Sequence, residues 1–204
     1  MVASDEWART TIDSDTLVAR LQRQEDDGAW SQVDARYGPL VRAFAQRMGL
    51  DPTIADDARQ EVMLAFVRAI RADQFDRARG RLRDFLFGIA RNRIRTLRSR
   101  EHNRNRLAVQ PDETGFLDRI PDEDRWSQAW DAEWQVAVRA QCLREAQERF
   151  SSDTYRVFHA KVIEGLSSAE VGQRTGKTIR AVDMATHHVR TFLRQIRPVI
   201  EEVF

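Results

Sequence analysis

Cysteine is nearly absent: the 204-residue chain has one, Cys142. A single thiol excludes an internal disulfide and any multi-cysteine metal site. Histidine is scarce as well. His102, His159, His187 and His188 have no metal-ligand spacing and no acidic neighbours suited to coordination, so no metal is expected. With 9 glycines and 5 prolines, the chain is too poor in turn formers for an all-β fold. Lysine occurs only at Lys161 and Lys177 among 33 basic residues. The rest are arginine, whose planar fork suits phosphate and base-edge contacts. No run approaches the roughly 18 apolar residues needed to span a bilayer. The opening MVASDEWARTTIDSD is polar and acidic, unlike a signal peptide, so a cytoplasmic protein is expected. No GxxxxGK[ST] loop, metal cluster or partnered nucleophile occurs, so neither an enzyme nor a cofactor is expected.

What is present points to helices. Hydrophobic residues make up 42%, enough for packed cores, and charged residues 32%, which fits helices with solvated faces. The length suits one medium domain or two small ones. The net charge of +1 says nothing about partners, but its distribution does. Residues 91–106 hold seven arginines (91, 93, 95, 98, 100, 104, 106) and one acid, Glu101. Residues 110–133 hold eight acids and two arginines, with Pro111, Gly115 and Pro121 interspersed.

Along the chain, Ser14 can cap a helix carrying Leu17, Val18 and Leu21, broken at Asp27-Gly28. A short helix around Trp30, Val33 and Tyr37 follows. Pro39 suits the first position of a third helix with Leu40, Val41, Phe44 and Met48 inward and Gly49 as its stop. Asp51-Pro52 reads as cap plus first turn of a helix with Val62, Phe66 and Ile70 at four-residue steps, Leu64 and Val67 beside them, and an acidic first turn at Asp56 and Asp57. After the polar FDRARG (75–80), a long helix puts Leu82, Phe85, Leu86, Ile89, Ala90, Ile94 and Leu97 on one face. Composition then assigns 1–100 to a first domain, 101–122 to an acidic linker and 123–204 to a second domain. The second opens on a helix to about Arg149. Its stripe of Trp126, Trp130 and Trp134 is expected to pack against the second domain or a regulator. Ser152 can cap a helix carrying Tyr155, Phe158, Val162 and Ile163, stopping at Gly165.

Residues 168–189 resemble a helix-turn-helix. Ser167-Ser168-Ala169-Glu170 forms a capping box, and the short helix ends at Gly176, where a sharp turn needs positive φ. Gly172 is small enough for the two helices to approach closely. The last helix, about Thr178 to Arg197, buries Val182, Ala185, Val189, Phe192 and Ile196. Arg180, Asp183, Met184, His187, Arg190, Thr191 and Arg194 lie opposite. A helix dry on one side and basic on the other, after a glycine turn, fits the major groove. An ordinary helical hairpin with a solvated basic face would carry the same pattern. His187 and His188 are candidates for DNA contact or plain surface residues.

Three segments in order resemble the extracytoplasmic-function subfamily of the sigma-70 family of bacterial RNA polymerase sigma factors. IADDARQEVMLAFVRAI (54–70) is similar to region 2.2, with Asp57, Gln60 and Glu61 matching and Ile54, Ala58 and Arg59 departing. FDRARGRLRDFLFGIARNRIRTLRSR (75–100) looks like regions 2.3 and 2.4, with Phe85 where Trp is commoner and Thr96 where Asp is common. FHAKVIEGLSSAEVGQRTGKTIRAVDMATHHVRTFLR (158–194) resembles region 4, with Gly172 where Ala is usual. The resemblance implies an all-α fold of two small helical domains and no catalysis. It implies that Asp56, Asp57, Gln60, Glu61 and Leu64 bind the β′ clamp helices of core RNA polymerase, with the β flap as a further contact. It places Phe75, Arg77, Arg79, Arg83, Arg91, Asn92 and Arg95 on the −10 element of promoter DNA. Lys177, Thr178, Arg180, Ala181, Met184, His187 and Arg190 would read the −35 element. Many relatives are held by an anti-sigma factor. A stand-alone helix-turn-helix regulator is the alternative, but it leaves 54–70 and 75–100 unexplained.

Overall fold

Apolar residues at three- and four-residue steps produce helices throughout. The computed structural model describes residues 14–23, 27–108 and 123–203, and no strand occurs among them. The fold is all-α. The helices are α1 (Ser14–Gln22), α2 (Asp27–Arg47), α3 (Pro52–Arg71), α4 (Leu82–Ala108), α5 (Glu123–Arg149), α6 (Ser152–Phe158), α7 (Ser168–Thr175) and α8 (Ile179–Val203). A 3-10 turn (Arg77–Arg79) precedes α4, and a π-helical turn (His159–Ile163) follows α6. Two compact units divide after Ala137, inside α5, rather than at residue 123. The sequence-drawn linker begins too early, because α4 stays helical to Ala108. Its remainder, 109–122, lies outside the described residues, as do residues 1–13.

In the first unit α2, α3 and α4 share a core. Val33, Tyr37, Leu40, Val41 and Phe44 meet Val62, Met63, Phe66 and Ile70, closed by Leu82, Leu86, Ala90 and Ile94, all buried. Asp51 caps α3 by accepting from the Thr53 and Ile54 N–H groups at 2.9 and 3.1 Å, and Pro52 takes the first helical position. Such a cap stabilises by about 1 kcal/mol. Asp56 and Asp57 fall one turn later than expected, so the first turn of α3 carries no acid.

Pro39 does not start a helix; it lies inside α2. A mid-helix proline costs about 3 kcal/mol because it lacks an N–H and crowds the preceding turn. Here Tyr37, Leu40, Val41 and Phe44 all reach one core if the helix runs through, and Pro39 itself faces solvent. Next to it, Gly38 leaves room for an ion pair between α2 and α3. A Cβ there would stand 2.8 Å from Asp34 Oδ1, while Arg59 Nη1 donates to Asp34 Oδ2 at 2.9 Å.

The tryptophan stripe packs on the first unit. Trp126, Trp130 and Trp134 are each 2% exposed. Phe44 meets Trp126 and Trp130 edge-on at centroid distances of 5.7 and 5.1 Å, Trp134 stacks on Tyr37 at 6.4 Å, and Phe87 lies 5.5 Å from Trp130. The expectation of packing on the second domain is thus overturned. The physical reason is the aromatic groove between α2 and α4, where Tyr37, Phe44 and Phe87 meet these indoles ring to ring.

The second unit packs the rest of α5 with α6, α7 and α8. One cluster joins Val157, Ala160, Val171 and Val182; another joins Ala146, Phe158 and Val189, with Phe150 and Phe192 alongside. Ser151, not Ser152, caps α6, accepting from the Thr154 N–H. The π turn leaves Ile163 52% exposed rather than inward, and Gly165 ends the segment at φ +78. α8 runs past Arg197 and through Pro198 to Val203, because Ile200 is buried one turn further on. Cys142 is 5% exposed, and burial pushes its thiol up to about 11.

Candidate nucleic-acid interface

In the second unit, the junction of α7 and α8, the candidate helix-turn-helix, is built by two local devices. Ser167 accepts from the Glu170 N–H, and Glu170 Oε2 accepts from the Ser167 N–H at 2.8 Å, so the capping box closes at the start of α7. The hydrogen bonds from Ser167 hold the Glu170 carboxyl below its ordinary range. At the far end Gly176 takes the left-handed conformation, φ +69, which other residues adopt only with strain. Gly172 serves this turn as well as the helix approach: a Cβ on it would sit 2.7 Å from the Lys177 carbonyl oxygen.

The last helix then presents a wet face. Arg180, Ala181, Met184, His187 and Arg190 are exposed, and Ile179 joins them as an exposed apolar residue that the sequence did not single out. Thr178 caps α8, accepting from the Ala181 N–H at 3.2 Å, so its hydroxyl is engaged at the helix start. Lys177 is partly buried, its Nζ 3.9 Å from Asp153. Thr191, placed on the wet face by periodicity, is partly buried. Asp183 is tied down: Lys161 and Ser168 both donate to it, and these bonds, Lys161 first, hold its carboxyl below the usual range. That clamp joins the π turn, α7 and α8. Spacing alone does not disclose it, since Lys161 is 22 residues away.

In the first unit, α3 exposes Asp57, Gln60 and Leu64 and leaves Glu61 partly buried beside them, at steps of three and four. Leu64 is 48% exposed, unlike the neighbours with which periodicity grouped it. An exposed apolar residue one turn beyond two carboxylates on a helix face fits docking to a protein. Asp56 stands at the margin of this stripe, ion-paired with Arg42 at 2.7 Å.

The residues assigned to the −10 element separate into three sets. Phe75 is partly buried against Phe85, ring centroids 5.4 Å apart, and the 3-10 turn, capped by Asp76, exposes Arg77 and Arg79. Asn92 and Arg95 are exposed on α4. Arg83 and Arg91 lie on another stripe of the same helix, with Phe87 between them, and α5 covers them. Arg83 pairs with Asp131 and Arg91 with Glu123. Arg47, which sequence reasoning passed over, meets Glu133, and Arg98, noted there only as part of the basic run, meets Trp126. The available signal was the flanking of the three tryptophans by acids at matching helical phase.

Residues 34–104 match the family model of sigma-70 region 2. The match runs from within α2 to near the end of α4, about a third of the chain, and supports the sigma-70 family. No curated protein matches the chain. The matched span takes in both the outward stripe of α3 and the arginine-bearing turn and helix that follow it. No helix among the described residues is long and apolar enough to cross a membrane.

Proposed function

We propose that the chain is a sigma factor of the extracytoplasmic-function kind, which binds core RNA polymerase and directs it to promoters without catalysing a reaction itself. One observation carries the reading: a match to sigma-70 region 2 is followed, in the same chain, by two helices that meet at a capped glycine turn and present an exposed basic face. On this reading 34–104 is the core-binding and −10 module, and the second unit, with the first part of α5, is region 4. Asp57, Gln60, Glu61 and Leu64 hold the β′ clamp helices, with Asp56 at the margin. Phe75, Arg77, Arg79, Asn92 and Arg95 meet the −10 element, joined by Arg83 and Arg91. Arg180, Ala181, Met184, His187 and Arg190 face the −35 element, with Lys177 and Thr178 at the start of the reading helix. The second unit also contacts the β flap. The protein works in the cytoplasm, with no cofactor.

The test is capture of core polymerase by the purified chain, followed by transcription in vitro with mapping of start sites. Core binding and a changed choice of start site are expected. Charge reversal, Asp57→Lys with Glu61→Lys, should abolish capture while far-ultraviolet circular dichroism stays unchanged; normal capture by that variant refutes the clamp assignment. Sequence-specific DNA binding without core binding would identify a stand-alone regulator instead.

A further inference from the structure

Three carboxylates and three indoles of α5 lie on the side of α4 that carries Arg83 and Arg91. Glu123 pairs with Arg91, Asp131 with Arg83, and Glu133 with Arg47 of α2. The Arg83 guanidinium also lies 4.9 Å from the Trp134 ring centroid, and that of Arg98 5.9 Å from Trp126. Negative groups and flat rings together against arginines are the chemistry that a single strand of DNA presents, with phosphates for the carboxylates and bases for the indoles. All these residues belong to the first compact unit.

We infer that residues 123–137 occupy, within the free chain, a surface that also binds single-stranded DNA, so that helix and strand exclude each other there. The inference rests on the proposed function in one respect, the assignment of Arg83 and Arg91 to DNA. The occupant is internal and the competitor is a nucleic acid strand. Two of the ion pairs are partly exposed, Arg91 and Glu123 retaining 32% and 66% side-chain exposure and Arg83 and Asp131 24% and 59%, while in the third Arg47 retains 50% and Glu133 only 11%. The two exposed pairs are weak and salt-screened, so polyanionic DNA competes for Arg83 and Arg91, while burial of the three indoles opposes release of the helix. The same exchange would expose three tryptophans, which gives it an optical signature.

The experiment uses the full chain and a fluorescein-labelled single-stranded oligonucleotide of mixed A and T sequence, followed by anisotropy. Glu123→Gln, Asp131→Asn and Glu133→Gln together should tighten binding by about tenfold, since apparent affinity scales with the fraction of chains whose site is open. A control neutralises Asp124, Glu148 and Glu202, exposed acids outside the contact. Equal tightening in both variants, or none in the first, overturns the inference. A second measurement leaves the acids intact. In a Trp7→Phe, Trp30→Phe background, saturating oligonucleotide should shift tryptophan emission to the red and increase acrylamide quenching. Unshifted emission from DNA-bound protein leaves Arg83 and Arg91 as anchors of α5 alone and overturns the proposal. Core capture is scored separately. Displacement without core binding would sink the sigma reading and spare this one, and core binding with an immovable helix would do the reverse.

Discussion

Replacing Trp130 measures how firmly α5 is docked on the first unit. Its ring is 2% exposed and lies 5.1 Å from Phe44, 5.5 Å from Phe87 and 6.2 Å from Trp134. Trp130→Ala removes a ring packed among three others, and such truncations cost about 3–5 kcal/mol. Trp130→Phe behaves differently. The indole Nε1–H is buried with no acceptor among the described residues, a state worth about 1–3 kcal/mol of lost hydration. Phenylalanine removes that unsatisfied donor and keeps a ring against Phe44 and Phe87, so the smaller ring and the relieved donor oppose each other. The net loss should be about 1 kcal/mol, in the range of shape-preserving apolar exchanges. Urea unfolding of the full chain, followed by circular dichroism to avoid the altered fluorescence, gives both numbers. A loss below about 1 kcal/mol for the alanine variant, well under the truncation range, refutes the docking. Equal losses for alanine and phenylalanine refute the account of the unsatisfied donor.

Three further outcomes follow from the second unit. Arg180→Ala should reduce discrimination between a −35 element and its mutated form by about 1–3 kcal/mol in competition binding, if Arg180 reads a base; an equal loss on every sequence would assign it to phosphate. Gly176→Ala should lower stability by about 1–2 kcal/mol through left-handed strain at φ +69, with open space around the added methyl; an unchanged urea midpoint contradicts that turn. Asp183, with its carboxyl held below the ordinary range by Lys161 and Ser168, contributes stability above its unfolded pKa and loses it as pH falls through the lower folded value. Acid unfolding of Asp183→Asn should therefore show a shallower pH dependence than wild type below about pH 4, where an unperturbed carboxylate titrates. Superimposable profiles would exclude the clamp.

Local chemistry carried much of the architecture. The Asp51-Pro52 start, the Ser167/Glu170 box and the Gly176 turn each depend on neighbours within a few residues, and each lies where sequence places it. Pro39 misled as a helix start, and the last helix outran its expected end at Arg197, for one reason: both Pro39 and Pro198 sit inside helices because buried residues beyond them, Phe44 and Ile200, reward continuation. Propensity is a weak prior when tertiary burial opposes it. Ser151 and Ser152 offer the same cap chemistry one residue apart, which no local rule separates. At the site, Arg180, Met184 and His187 emerge on the exposed face as periodicity indicates. The cover over Arg83 and Arg91 was illegible, because it depends on which aromatic groove the three tryptophans choose, and that is a long-range property.

The single thiol has a practical consequence. A group ionising near 11 is about one part in ten thousand thiolate at neutral pH, and the thiolate is the species that oxidants and alkylating reagents attack. Cys142 therefore makes a poor sensor of peroxide. It also leaves a silent background: a cysteine introduced on an open helix face becomes the one fast-reacting sulfur, ready for a spin label or dye.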